Sequence, residues 1–259
     1  MNCGMDNIPN ASDVAFTVRS YEAGIANHVT LPTLCNYMQA AAGINAARLG
    51  WGIQALQAEG LTWMLSRLRA SVTRYVPWGE TVTVRTWPSG VKGRLVAKRC
   101  FLGMDAKGEE LFRVSSEWLY VDMAAQKIAR LPETFEGLVP AGTPDFELPD
   151  IGGKFVHLPS VDGGADILTR HSDLDFNDHV NNVHYVEWML ESSVKCQMES
   201  VKCGVGDIDI VFRQAAKAGE ALVSEFCADG EKTLHAIRRR SDNAILATAA
   251  MASLKETVA

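Results

Sequence analysis

The sequence predicts an α+β fold built from two tandem units, each a long helix wrapped by an antiparallel sheet. Two observations predict it. A strand-like stretch, a helical stretch and four further strand-like stretches follow one another twice along the 259 residues. Between the two copies, residues 131–164 are rich in proline and glycine, which is typical of irregular linking backbone. We therefore predict an N-terminal unit at residues 1–140, a linker at 141–164 and a C-terminal unit at 165–259.

In the first half, the alternation of residues 16–22 predicts a strand. A helix is predicted from about Thr30 to Leu49, because Pro32 suits a first helical turn and Gly50 suits a C-terminal cap. Turn signals separate the four strand-like stretches that follow. These strands are predicted at residues 62–72, 81–87, 95–104 and 110–121.

The second half repeats this order. A strand is predicted at residues 165–176 and a helix at 181–197, whose apolar residues recur at the spacing of one helical face. Local similarity supports a duplication, since the run Asn27-His28-Val29 resembles His179-Val180-Asn181. We expect the two units to pair edge to edge into one continuous sheet around two helices. The remaining strands are predicted at residues 207–213, 221–228, 233–240 and 244–254.

Composition and charge exclude several classes of protein. Apolar residues make up 47% of the chain and charged residues 22%, which is ordinary for a globular protein with a hydrophobic core. No run approaches the length of a membrane span, no signal peptide is recognised at the N-terminus, and a net charge of −6 argues against general nucleic-acid binding. We expect a cytoplasmic protein with reduced, mostly buried thiols. The six cysteines, none with metal-like spacing, are Cys3, Cys35, Cys100, Cys196, Cys203 and Cys227.

A polar run at residues 171–182 precedes the second helix and carries the candidate chemistry. Asn177 and Asp178 are favourable N-cap residues, so the helix is predicted to begin at or just after them. His179 would then lie at the amino end of the helix, where unpaired N–H groups carry partial positive charge. A histidine, an amide side chain and free N–H groups can polarise a carbonyl and bind the oxyanion that forms from it. A helix cap with a structural histidine is the alternative interpretation.

The full run, D-x-D-x-N-x-H-V-N-N-x-x-Y-x-x-W, resembles the motif of the acyl-carrier-protein thioesterases, double hot-dog enzymes that release fatty acids during synthesis. Segments of the first half also resemble that family. The resemblance spans residues 16–254 and implies two tandem hot-dog units, with acyl-chain binding in the first and catalysis in the second. The similar first-half segments are residues 61–68, 74–80, 87–90 and 113–118.

The resemblance places the family's catalytic residues on Asp175, Asn177 and His179. We expect His179 to polarise or deprotonate water, Asn177 to position water or the carbonyl, and Asp175 to orient one of them or to act as the base. The N–H of Val180 or Asn181 is the expected oxyanion donor, and one such donor is worth about 2.7–4 kcal/mol. A carboxylate that only caps the helix is the alternative for Asp175.

One position departs from the family. The resemblance places an additional catalytic Glu at Ala215, and alanine is neither a base nor a nucleophile. Either another group activates water, or hydrolysis is slow, or the alignment is shifted. We assign no catalytic role to the neighbouring Gln214 and Glu220.

The acyl slot is implied by the same resemblance, and each methylene buried there is worth about 0.8 kcal/mol. Ordinary core packing is the alternative for every candidate. The candidate acyl-binding residues are Met38, Ala42, Met64, Leu65 and Leu68.

The implied partner is an acyl carrier protein that bears a 4′-phosphopantetheine acyl thioester. Because carrier proteins are acidic, the basic run Arg238-Arg239-Arg240, with Lys195 and Lys202, is a candidate docking surface, and a solvated strand face is the alternative. No cofactor, metal, nucleic acid or membrane span is expected. The association state, monomer or homodimer, is left open.

Three other functions compete with this one. The first is a hot-dog thioesterase that acts on acyl-coenzyme A. The second is a weakly active or non-catalytic acyl-thioester-binding protein, which Ala215 would explain. The third is a hot-dog dehydratase, which the D-x-D-x-N-x-H-V-N-N run disfavours.

Overall fold

A computed structural model of the chain describes residues 7–152, 156–194 and 204–254. The chain divides into two compact units. Unit 1 comprises Met1–Ser66 and Arg74–Leu148, and unit 2 comprises Arg67–Thr73 and Pro149–Ala259. The end of the second predicted helix, residues 195–197, lies outside the described residues.

Unit 1 is a helix packed on an antiparallel sheet, as predicted. The strand order is β1-β3-β4-β5-β2, with the short β6 paired to β5, and α1 packs against β1 and β3. The elements, in chain order, are β1 Ser12–Thr17, a 3-10 turn Ser20–Glu22, α1 Leu31–Arg48, α2 Ile53–Ala58, β2 Leu61–Val72, β3 Thr81–Lys92, β4 Val96–Met104, β5 Glu110–Asp122, β6 Lys127–Ile128 and α3 Glu133–Glu136.

The first predicted helix is confirmed within one residue at each end. Thr30 is its N-cap, and the Thr30 side chain accepts a hydrogen bond from the Thr33 N–H at 3.3 Å. Pro32 lies in the first turn, and Gly50 follows the helix with a φ of 82°, a left-handed conformation that glycine adopts without strain. The buried face of α1 is Leu34, Met38, Ala41, Ala42 and Asn45.

Unit 2 repeats this arrangement, with α4 packed against β7, β9 and β10. Residues 67–71 of β2, which belong to this unit, pair antiparallel with β8, and the order continues β8-β11-β10-β9-β7. The strand order of unit 2 therefore begins with residues 67–71 of β2. The elements are β7 Gly163–Leu168, a 3-10 turn His171–Asp173, α4 Asn182–Val194, β8 Val205–Phe212, β9 Ala221–Asp229, β10 Lys232–Arg239 and β11 Ile245–Ser253.

Two predicted strands end earlier than expected. The strand predicted at 16–22 stops at Thr17, and the one predicted at 165–176 stops at Leu168. In each case a carboxylate turns the chain, because the side chain of Glu22 or Asp173 accepts the backbone N–H three residues earlier at 2.8 Å. The helices α2 and α3 and strand β6 were not predicted, since they are too short to produce a recognisable period.

The duplication extends to individual backbone hydrogen bonds. In unit 1 the Val29 N–H donates to the Val76 carbonyl at 2.8 Å, and in unit 2 the Val180 N–H donates to the Ala216 carbonyl at 2.9 Å. This register aligns His28 with His179, so the sequence similarity that aligned Asn27 with His179 was wrong by one residue. Four further backbone bonds of unit 1, written donor–acceptor, have a counterpart in unit 2: Val18–Glu80 matches Thr169–Glu220, Gly79–Val18 matches Gly219–Thr169, Asn27–Gly24 matches Asp178–Asp175, and Thr30–Glu22 matches Asn181–Asp173.

A buried histidine on β10 makes stability depend on pH. His235 has no exposed surface, its Nε2 lies 2.9 Å from Thr233 Oγ1, and its Nδ1 has no partner among the described residues. Burial lowers the pKa of His235 to about 4. The unfolded chain takes up this proton near pH 6.5 and the folded protein only near pH 4, so stability is lost as the pH falls between these values.

We expect the titration of His235 to lower the free energy of unfolding by about 3 kcal/mol between pH 7 and pH 4. His235→Gln should remove that part of the pH dependence. Urea unfolding curves across this range measure it. The control is His28→Gln, which changes an exposed histidine and should keep the wild-type dependence. An unchanged dependence in His235→Gln would contradict the assignment.

Candidate active site

The three predicted catalytic residues lie in one closed loop ahead of α4. An isolated β-bridge between Leu174 and Val180 closes the loop. Inside it, the Asp175 N–H donates to the His179 carbonyl at 2.8 Å, and Asp175 Oδ1 accepts the Asn177 N–H at 2.8 Å. The five-residue segment that contains Asp175, Asn177 and His179 therefore has an internally bonded backbone.

The same loop conformation occurs in unit 1, with different side chains. Asp178 has a φ of 58°, and Asn27, its counterpart in unit 1, has a φ of 59°. Asp and Asn are the non-glycine residues that best tolerate this left-handed conformation. At the positions of Asp175 and Asn177, however, unit 1 has Gly24 and Ala26. The backbone scaffold is thus shared, while the candidate chemistry is confined to unit 2.

The helix predicted from residue 181 begins within one residue of that position, but the predicted N-cap at Asn177 or Asp178 was wrong. Helix α4 begins at Asn182, and Asn181 is its cap, since Asn181 Oδ1 accepts the Val183 N–H at 3.1 Å. Asn177 and Asp178 belong to the closed loop instead. His179 is therefore a loop residue that precedes the helix, and Asp175 does not cap the helix as the alternative interpretation supposed.

The two expected oxyanion donors are already bonded. The Val180 N–H donates to the Ala216 carbonyl at 2.9 Å, and the Asn181 N–H donates to the Asp173 carbonyl at 2.9 Å. Their prediction as free donors was wrong, because it assumed that the first turn of the helix extended back to these residues. In the segment 175–181, the N–H groups of Phe176 and His179 are the ones without a partner among the described residues.

The imidazole of His179 is exposed and has no hydrogen-bond partner in the described part of the chain. Asp175 and Asn177 are half-buried, and Phe176 between them is 71% exposed. An exposed imidazole that has no intramolecular partner can bind and polarise a water molecule. The loop therefore presents its histidine to solvent, while its carboxylate and amide are partly covered.

Ala215 lies beside this loop. It belongs to the segment that follows β8, in which the Ala216 carbonyl bonds Val180, and the Ala216 N–H donates to Tyr185 Oη at 2.9 Å. Of its polar neighbours, Gln214 accepts a hydrogen bond from Arg239 at 3.0 Å and Glu220 forms an ion pair with Arg239 at 3.2 Å, so both side chains are engaged.

A charged network borders the loop. Asp173, 1% exposed, pairs with Arg170 at 2.8 Å. Burial alone would raise the pKa of Asp173, but hydrogen bonds from Arg170 lower it below its usual range. On the first turn of α4, His184 Nδ1 lies 2.7 Å from Glu187 Oε2, and this bond raises the pKa of His184. Both carboxylates thus have intramolecular partners.

The predicted docking surface is not a free basic surface. Arg238 pairs with Glu225 at 2.9 Å, and Arg240 pairs with Asp166. Arg239 is held between two carboxylates in the same way. Lys195 and Lys202 lie outside the described residues.

The candidate acyl-binding residues divide into two groups. Met38 and Ala42 on α1 and Leu65 and Leu68 on β2 are buried, whereas Met64 is 39% exposed. Burial is compatible with either a slot wall or ordinary core, so these residues remain a prediction.

Two tandem units, each a helix on an antiparallel sheet, define a double hot-dog protein, and the Asp-x-Asn-x-His loop places its candidate chemistry in the second unit. Sequence models of the acyl-ACP thioesterase N-terminal and C-terminal domains match residues 9–137 and 161–252. The chain therefore belongs to the acyl-ACP thioesterase family.

Curated relatives share about a third of the aligned residues. A chloroplastic palmitoyl-acyl carrier protein thioesterase of Gossypium hirsutum is 34% identical over 200 residues, which cover 71% of this chain and 48% of that protein. A chloroplastic dodecanoyl-[acyl-carrier-protein] hydrolase of Cinnamomum camphora is 32% identical over 193 residues, covering 68% and 49%. The chain spans about half the length of these relatives.

Solved structures confirm the fold. The 12:0-ACP thioesterase of Umbellularia californica superposes with a TM-score of 0.80 at 25% identity, covering 94% of this chain and 96% of that one. An acyl-ACP thioesterase of Bacteroides thetaiotaomicron gives the same TM-score at 20% identity, covering 94% and 97%. Among the described residues, no helix has the length and apolar character needed to cross a membrane.

Proposed function

We propose that the protein hydrolyses fatty acyl-[acyl-carrier-protein] thioesters to a free fatty acid and the carrier protein. The observation that carries this proposal is the closed loop in which Asp175, Asn177 and His179 lie together beside the segment that contains Ala215. Family membership and the printed names of the relatives support the substrate class. Those names include palmitoyl and dodecanoyl substrates, so they leave the acyl chain length of this protein open.

Hydrolysis of a thioester requires an attacking water, a site for the oxyanion and a proton for the departing thiol. The exposed His179 imidazole would bind and polarise the water, and the general base that takes the water's proton would later return it to the departing thiolate. The Val180 and Asn181 N–H groups are bonded within the protein. We therefore assign oxyanion binding to the backbone N–H of His179 and the side-chain amide of Asn177.

Asp175 is the remaining candidate for the general base. One of its oxygens accepts the Asn177 N–H and so shapes the loop, while the carboxylate charge stays available to a water held by His179. With alanine at position 215, Asp175 is the acidic residue that we assign to this role.

The partner under this proposal is an acyl carrier protein that carries a 4′-phosphopantetheine acyl thioester. The acyl chain would be held by Met38, Ala42, Met64, Leu65 and Leu68, as the sequence predicted. A cytoplasmic location is part of the proposal, whereas the plant relatives are named chloroplastic proteins.

A second candidate function is binding of acyl thioesters without turnover. The specific observation in its favour is Ala215, which leaves the position of the family's Glu without a carboxylate at the edge of the loop. A protein of this kind would bind an acyl-carrier-protein thioester tightly and release no fatty acid.

A panel of acyl-carrier-protein thioesters from short to long chains tests the proposed reaction. We expect release of free thiol for at least one chain length and a loss of about 10²–10⁴ in kcat for His179→Ala. A comparison of kcat/KM for the same acyl group on the carrier protein and on coenzyme A tests whether the protein prefers coenzyme A thioesters. Binding without turnover across the whole panel would replace hydrolysis by the second candidate function.

Asp175→Asn separates the charge of Asp175 from its structural role. The amide keeps an oxygen that can accept the Asn177 N–H, so the loop should persist while kcat falls about 10²-fold. The matched control is Asp178→Asn in the same loop, because asparagine also tolerates the left-handed conformation of residue 178. That control should keep kcat within about twofold. Equal activity in the two variants would remove Asp175 from the mechanism.

Ala215→Glu should raise kcat about ten- to hundredfold, because it adds a carboxylate next to the segment that bonds Val180. Ala218→Glu places a carboxylate on an exposed position of the same segment after β8 and serves as the control. Steady-state kinetics on one acyl-carrier-protein substrate compare the two. A gain in Ala218→Glu equal to that in Ala215→Glu would show a general charge effect and contradict the assignment.

A further inference from the structure

The position of the His179 loop depends on a distant segment of the chain. The Val180 N–H, one residue after His179, donates to the Ala216 carbonyl at 2.9 Å. Ala216 lies in irregular backbone after β8, where no ladder hydrogen bonds hold it. The Ala216 peptide is therefore one of the contacts that place His179, and it is the one that comes from a distant part of the sequence.

A tyrosine on α4 holds that peptide. Tyr185 is 2% exposed, and its Oη accepts the Ala216 N–H at 2.9 Å. The same hydroxyl lies 3.5 Å from the Gln214 carbonyl, a long contact for its proton. Burial raises the pKa of Tyr185 to about 12, which keeps the hydroxyl neutral. Residue 216 is thus held through its N–H by the helix and through its carbonyl by the loop.

Unit 1 provides an internal comparison. It has the equivalent bond from Val29 to Val76, but the fourth residue of α1 is Leu34, where the fourth residue of α4 is Tyr185. Leucine has no hydroxyl to hold the neighbouring segment. The tyrosine therefore occurs in the unit whose loop carries the carboxylate, amide and imidazole.

We propose that Tyr185 is a positioning residue for the reaction, whose hydroxyl fixes the segment 214–216 and, through Val180, the loop that carries His179. The proposal rests on the proposed function, and Tyr185 itself touches neither water nor thioester in this scheme. Removal of the hydroxyl leaves the Ala216 N–H without its partner and allows both segments to move.

Tyr185→Phe tests the proposal by kinetics. We expect kcat on an acyl-carrier-protein substrate to fall about tenfold, with KM within about twofold, because a small displacement of a catalytic group impairs the chemical step more than binding. The matched control is Tyr37→Phe. Tyr37 is a buried tyrosine on α1 whose Oη donates to Glu22 Oε2 at 2.7 Å, so its variant loses a comparable bond far along the chain from His179.

Hydrogen–deuterium exchange provides a readout that does not depend on turnover. In Tyr185→Phe the amide of Val180, followed in the peptide 174–181, should exchange about tenfold faster, the change that corresponds to ~1.4 kcal/mol. The equivalent peptide of unit 1, residues 23–30, should exchange at the wild-type rate.

Faster exchange confined to residues 174–181, together with the loss in kcat, supports the positioning role. Unchanged exchange, equal acceleration in both peptides, or wild-type kcat despite faster exchange would each overturn it. If the wild-type protein hydrolyses no thioester, the proposed function fails, and the exchange of the two peptides alone decides whether Tyr185 holds the loop.

Discussion

The hydrogen bond between the Val180 N–H and the Ala216 carbonyl is the interaction on which the candidate site depends. A closed five-residue loop has few side-chain contacts of its own, so the bonds at its ends determine where its functional groups lie. This bond joins the loop to the segment with Ala215, and it also removes the Val180 N–H from the set of oxyanion donors. One contact therefore assembles the site and limits the chemistry available to it.

The duplication shows which parts of the site belong to the scaffold. Both units close the same loop, turn the chain with a carboxylate at Glu22 or Asp173, and bond the residue after the histidine to a distant carbonyl. The backbone conformation requires none of the groups proposed for catalysis, since unit 1 forms it with Gly24 and Ala26. Side chains could therefore diverge in one copy without loss of the fold.

Four arginines on the described surface of unit 2 are paired with carboxylates. The arginines at 238, 239 and 240 each have a carboxylate partner, as does Arg170 beside the loop. Surface pairs of this kind add little stability, but they cancel the local positive potential that an acidic partner would sense. A basic run in the sequence is thus not equivalent to a basic surface.

Periodicity and motif were enough to predict the tandem organisation, both long helices, most strands within a few residues, and the three residues that share the loop. It could do so because periodicity records which face of an element is buried, and a motif records its residues directly. The helix start at Asn182, the engaged N–H groups of Val180 and Asn181, and the position of Ala215 beside the loop were decided only by tertiary structure. The physical reason is that a backbone N–H can serve one acceptor, and its acceptor here lies 36 residues away, where no local pattern records it.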